Sequence, residues 1–477
     1  MKHAWIIVST ELIFCQMESP AVSVVSDIRV QRKGLSVIYP KKKRERYSLS
    51  LSNLDQKLVG YNLKLVHFFS SNQEIPFDSI IYNHTEALTR ILDFYDFISW
   101  RLSFNSEERR FEIDSNDAGV PFAVCTSELT LEGLGDVTYP NPAFNQLCLL
   151  SRSTNQIPED EPLMSFQATQ FRCGGFAMGT VINHGLMDGI ALQEFSKNYT
   201  HFARTGNVAF VPVTDRTCLK ARAPLQINYQ HEELVKPSQL GLDSSLFMQR
   251  DIDLLRNKVA IHNQSEKHVF KLFSLSGETL ALLKLKAKEE GVSHCTSFIA
   301  ALAHLWRTRT ATMANIDAHD IMIVQYAVDK RMRPPIPRKY VGNAIRSAYA
   351  KATAKELQEQ PFPVIVKKLQ EAGDRLTDDY IRSAIDWFEL HDGVTRLESG
   401  FLVTSWSRME IGDVEFGGII KSIYAGPVVS GRVDVVLFMA DAKDKAGIKI
   451  YIGLKPSHMA KFQVLFQNVG TDTTHGV

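Results

Sequence analysis

No C-x-x-C pair occurs among the six cysteines of this 477-residue sequence; Cys15, Cys125, Cys148, Cys173, Cys218 and Cys295 are scattered along it. That spacing builds neither a disulfide framework nor a zinc site, so reduced thiols, a cytoplasmic setting and no metal are expected. Net charge is almost absent: 54 Lys and Arg against 53 Asp and Glu leave +1. A dedicated nucleic-acid binder needs a basic face, and that class is set aside. The one basic run, KKKRER at Lys41 to Arg46, reads as a solvated stretch. No run approaches the roughly 18–20 apolar residues of a membrane span. No G-x-S-x-G elbow marks a serine hydrolase. Short repeats and low-complexity tracts are missing as well.

What is there is an ordinary globular composition on a long chain. Single cores stop growing at roughly 250–300 residues, so two or three domains are expected. MKHAWIIVSTELIFCQ opens like a secretory signal, but Glu11 interrupts the apolar stretch and no small-x-small cleavage site follows. Residues 1–16 are therefore read as a non-native or extension segment before Met17. SVVSDIRV, LSVIYP and YNLKLVHFF alternate as strands do, and HTEALTRILDFYDFISWRL from His84 has helical spacing. PLMSFQATQF and CGGFAMGTVIN predict two adjacent strands, the second buried on both faces. A helix over GIALQEFSKNYTHFART should stop at Gly206. The polar, proline-punctuated stretch 211–265 reads as a crossover linker between a domain at 17–210 and one at 266–477. In the second half, IMIVQYAVD, LVTSWS, DVVLFMA and GIKIYIGL predict strands and HMAKFQVLFQNV a terminal helix. Between Asp329 and the strand LVTSWS only a proline-rich loop and two helices are expected. The mixture in each half indicates two α/β layers of similar build.

The stretch NHGLMDG, from Asn183, carries the chemistry. His184 ends an apolar strand, Asp188 follows four residues later, and Gly189 opens the helix. Histidine accepts and returns a proton near neutral pH. A general base must be held in place, and a nearby acid can do that without reacting. Glycine after the acid permits a tight turn into the helix. On spacing alone, a strand-end turn without chemistry is the commoner meaning of H-x-x-x-D. A metal site would need a third ligand, and the other histidines stand singly. The condensation domain of a peptide synthetase would want a second histidine where Asn183 stands.

The motifs together say more. CGGFAMGTVINHGLMDG resembles the HxxxDG region of the BAHD family of plant acyl-CoA-dependent acyltransferases. Further stretches match in order: LSNLDQ at Leu51, DRTCLKAR at Asp215, TSFIAALAHLWR at Thr296, VDKRMRPPIPRKYVGNA at Val328 and TSWSRME at Thr404. LGDVTYPNPAF and IRSAIDW bring the chain nearest to the hydroxycinnamoyl-transferase-like members. Two departures stand out. EFGGI, from Glu415, replaces the family's DFGWG, with Asp413 two residues earlier, and FISWRL replaces its LAGRL.

The resemblance implies an α/β fold of two similar chloramphenicol-acetyltransferase-like domains. Each would be a mixed sheet flanked by helices, with the active-site channel between them. It implies transfer of a hydroxycinnamoyl, other aromatic or aliphatic acyl group from a CoA thioester to a small-molecule alcohol or amine. His184 would be the general base and Asp188 would hold the loop through an arginine. Gly189 and Asn343 would be structural, and Thr404, Trp406 and Arg408 would line the substrate site. Acyl-CoA is a co-substrate; no cofactor or metal is implied, and a monomer is expected. Some relatives keep the fold as non-catalytic accessory proteins of fatty-acid elongation, the rival reading.

Overall fold

The computed structural model describes residues 25–469 apart from 43–44, 73, 151–160, 241–267, 290, 315, 332–335, 392, 396–399, 413, 417–419 and 430. The extension segment 1–16, the later part of the linker, Asp413 and the GGI of EFGGI therefore lie outside the described residues. Two six-stranded mixed sheets, each flanked by helices, dominate the described chain. The first runs, edge to edge, Gln31–Ile38, Val120–Ser127, Met164–Phe171, Phe176–Asn183, Asn62–Phe69 and Tyr424–Pro427. The second runs Val269–Leu275, Ile448–Leu454, Val435–Ala440, Gly400–Ser405, Ile321–Asp329 and Ile345–Thr353. The strand Tyr424–Pro427 comes from the second half of the sequence yet pairs antiparallel with Asn62–Phe69 of the first sheet.

The expected pair of strands before His184 is present as Met164–Phe171 and Phe176–Asn183, antiparallel. Every residue of the second is buried, because it lies inside the sheet with both faces covered. Gly179 at its centre is required by a close approach: a Cβ there would sit 2.0 Å from the Leu147 carbonyl oxygen. The following helix is Gly189–Thr205, and it stops at Gly206, whose φ of 72° is left-handed and suits glycine. Trp306 lies in the helix Ser297–Thr312 and is 1% exposed, a core residue.

Three expectations differ from the structure. The described part of SVVSDIRV is not a strand, since no neighbouring strand pairs with it; Ile28 is instead packed into a small side cluster. The helix expected from His84 begins earlier, at Phe77, and ends at Ile91, with a separate 3₁₀ turn at Asp96–Ser99. The strand Ile345–Thr353 falls where no strand was expected, at the edge of the second sheet.

The described part of 211–240 is not a loose tether. Arg222 donates to Asp386 at 2.7 Å, and His231 Nε2 lies 2.9 Å from Ser383 Oγ, docking this crossover onto the helix Asp378–His391. One hydrophobic cluster of the first sheet also takes in Val341, Trp406, Leu437, Met439 and Tyr451, so apolar packing runs from one unit into the other. Among the described residues no helix is long and apolar enough to cross a membrane.

Candidate active site

His184 follows the last residue of the buried strand, and its backbone is tied on both sides. Its N–H donates to the Tyr61 carbonyl at 2.7 Å. Its carbonyl accepts the Asn343 side-chain N–H at 2.8 Å. The turn is closed by Asn183, whose Oδ1 accepts the Gly185 N–H at 2.9 Å and whose Nδ2 donates to the Val59 carbonyl at 2.8 Å. The imidazole is half-buried, and its Nδ1 is buried without a hydrogen bond to another described residue. Burial pushes the His184 pKa below its ordinary value. Its own carbonyl, Asp188, Asn343 and Asp55 pull in the other direction without restoring it. Burial thus favours the uncharged imidazole over the imidazolium.

Both oxygens of Asp188 are engaged by groups other than the His184 ring. It caps the helix Gly189–Thr205, accepting the Ala191 N–H at 3.0 Å. The same oxygen accepts from Arg331 Nη2 at 2.8 Å, and the other oxygen accepts the Ala344 N–H at 2.9 Å. Burial works against the Arg331 charge, but the Asp188 and Asp329 carboxylates outweigh it and raise its pKa. Gly189 has no left-handed φ. A Cβ there would instead meet the Met409 methyl at 3.1 Å, so the constraint is space rather than the backbone path.

A second carboxylate supports the loop from below. Asp55 is 0% exposed and closes a capping box with Ser52 around the short helix Asn53–Gln56. One of its oxygens accepts both the backbone and the side-chain N–H of Asn343, at 2.9 and 2.7 Å. The other accepts from Arg216 Nε at 3.0 Å, and Arg216 Nη2 donates to the Leu186 carbonyl at 2.8 Å. The carbonyls of His184 and Leu186 are thus gripped by two side chains that share one buried aspartate.

The structure brings His184, Asp188, Gly189 and Asn343 into one cluster. Thr404 and Trp406 belong to a different element, at and beyond the end of the strand Gly400–Ser405. Thr404 is half-buried and paired in register with Leu437; Trp406 is 8% exposed, and its backbone N–H donates to the Phe438 carbonyl at 2.7 Å. Arg408 is exposed and enters no ion pair among the described residues. No hydrogen bond joins these three to His184 among the described residues. Nor does any cluster of three or more His, Cys, Asp or Glu side chains there suit a metal ion.

A serine, histidine and acid constellation exists at the crossover, apart from His184. Ser383 Oγ lies 2.9 Å from His231 Nε2, and His231 Nδ1 lies 3.1 Å from Glu233. Ser383 is 0% exposed and its oxygen accepts the backbone N–H groups of Asn228 and Tyr229, at 3.1 and 3.3 Å. An enclosed hydroxyl already used this way is a docking pin, not a nucleophile.

Comparison with known proteins fits this architecture. A family model described as the Transferase family matches residues 28–468. The chain belongs to the BAHD acyltransferases. It is 36% identical over 463 residues to Acyltransferase GLAUCE of Arabidopsis thaliana, covering 94% of this chain and 98% of that one. It is 30% identical to omega-hydroxypalmitate O-feruloyl transferase of the same plant, covering 93% of each. The crystal structure of vinorine synthase superposes with a TM-score of 0.69 at 20% identity, over 92% of this chain and 98% of that one. This BAHD chain is thus an enzyme of acyl transfer, with the two-domain fold of its structural neighbours.

Within the BAHD chain, three buttressing residues escaped the sequence reading. Arg331, Asp55 and Arg216 stand inside quoted motifs, VDKRMRPP, LSNLDQ and DRTCLKAR. The signal was their charge amid apolar or turn residues, but nothing in the order along the chain says which charges meet.

Proposed function

We propose that this enzyme moves an acyl group from a CoA thioester to a hydroxyl or amine acceptor, with His184 as the general base. The observation that carries the reading is a half-buried histidine whose backbone is clamped at both its N–H and its carbonyl, with burial lowering its pKa. His184 Nε2 takes the proton of the acceptor O–H or N–H as that atom attacks the thioester carbonyl. The tetrahedral intermediate collapses, the C–S bond breaks, and the imidazolium returns its proton to the leaving thiolate. No acyl-enzyme forms. Asp188 takes no proton; bonded to Arg331, Ala344 and Ala191, it fixes the loop. Thr404 and Trp406 line the region where the oxyanion develops, where donors stabilise charge. Arg408, exposed and unpaired among the described residues, suits an acceptor carboxylate by its planar fork.

The similarity to an O-feruloyl transferase acting on omega-hydroxypalmitate supports a hydroxycinnamoyl donor and a long-chain, amphiphilic hydroxyl acceptor. The enzyme would act as a cytoplasmic monomer. The test is thiol release from hydroxycinnamoyl-, benzoyl-, acetyl-, malonyl- and long-chain acyl-CoA against alcohols and amines, ω-hydroxy acids included, with product mass spectrometry. His184→Ala should lose about 10²–10⁴-fold in rate with the fold intact. Equal activity in both proteins would remove His184 from this role. A protein that transfers nothing but binds elongation enzymes would favour the accessory reading.

A further inference from the structure

The basic run that the active site leaves unused adjoins an unusual edge. Gln31–Ile38 is the outer strand of the first sheet, and all its residues but Ile38 are exposed. Leu35, Val37 and Tyr39, at alternate positions, are 56%, 41% and 51% exposed. A Cβ on Gly119 would meet Val37 Cγ1 at 2.3 Å and Tyr39 Cε1 at 2.9 Å, so these two side chains cover one point of one face. Three large apolar groups in line, two on an exposed edge strand and Tyr39 just past its end, are a liability unless they are used.

Positive charge flanks the stripe at both ends. Arg32 and Lys33 precede it; Lys41, Lys42 and Arg46 follow, all exposed. None of these five enters an ion pair among the described residues, whereas Arg29 nearby lies 3.9 Å from Asp27. Glu45 is the one acid between Arg29 and Tyr47, in a chain whose overall charge is only +1. A partner's strand is a poor fit for this edge, because the register shifts between Arg32 and Gly34 and a lysine stands at the shift. A surface both anionic and apolar fits better, since basic side chains attract lipid phosphates and apolar and aromatic ones enter the headgroup boundary.

We propose that this edge docks the enzyme on an anionic lipid surface, with Leu35, Val37 and Tyr39 entering the interface between the basic flanks. The proposal deepens, and rests on, the amphiphilic acceptor put forward above, since such an acceptor resides in the bilayer from which a docked enzyme would take it.

The full chain would be sedimented with phosphatidylcholine vesicles and with vesicles of equal phosphatidylcholine and phosphatidylglycerol. Binding to the anionic vesicles alone, weakening with salt, is expected. The double variant R32E/K33E should lower the partition at least about tenfold. The triple variant L35S/V37S/Y39S should weaken binding without changing its salt dependence. Both should keep wild-type rates on a short, water-soluble acceptor, which also shows that they fold. Equal binding by wild type and variants, or none to anionic vesicles, overturns the proposal. So does binding to polyglutamate without binding to vesicles, which would assign the edge to acidic protein. Self-association in sedimentation velocity, lost in the triple variant and without vesicle binding, would assign it to a second copy. Vesicle binding without acylation of long-chain acceptors would sink the acceptor reading while upholding the surface; acylation without vesicle binding would do the reverse.

Discussion

His184 is one ring, and its behaviour follows from what surrounds it. Burial removes water that would stabilise the imidazolium, so the folded pKa is below the ordinary value of about 6.5. The base form therefore persists below that pH. The acid limb of kcat/KM should have its midpoint under pH 6.5, and a pH profile with a soluble acceptor checks it; a midpoint above would contradict the burial argument. Arg331 and Asp188 form a pair 10% and 1% exposed on their side chains. Removing one partner leaves a buried charge unmatched, at a cost of about 3–5 kcal/mol. Arg331→Ala should lose that much in urea unfolding, along with activity. Arg331→Lys should recover part of the stability, since it restores charge but not the fork whose Nη2 bonds Asp188 and Gly342 while Nη1 bonds Asp329.

Among elements, the helix Gly189–Thr205 shows what local sequence can dictate. Asp188 caps its start and Gly206 its end, both readable from the residue order. Gly206→Ala must place a Cβ at a φ of 72°, and should cost about 1 kcal/mol by thermal or urea unfolding, with activity retained. A null effect would mean the terminal turn unwinds freely. The strand Ile345–Thr353 shows what local sequence hides. Its core-facing residues include Ala348, Ala350 and Ala352, so the alternation has little apolar contrast, and alanine favours helix. It is a strand because Ile321–Asp329 offers an edge to pair with, antiparallel over all nine of its residues. SVVSDIRV is the converse, with contrast but, over its described part, no neighbour to pair with.

Across the whole molecule, two buried histidines tie stability to pH. His67 and His84 are 2% and 0% exposed, and burial lowers their pKa to about 4 and about 3. Both folded values lie under the unfolded one, so their stabilisation is fully present above about pH 6.5 and is lost as pH falls toward the folded values. Unfolding free energy should drop by about 2 kcal/mol per histidine between pH 6.5 and 5. A urea series over that range tests it, and His67→Gln with His84→Gln should flatten the dependence. The sequence by itself determined the two α/β halves, the buried strand, the capped helix and the histidine at their junction, because periodicity and capping act within a few residues. Only the tertiary structure decided that Asp55, Arg216, Arg331 and Asn343 converge on one loop, and that Tyr424–Pro427 joins the first sheet. Those partners are separated by up to hundreds of residues, and charges that meet only after chain crossover leave no local pattern to read.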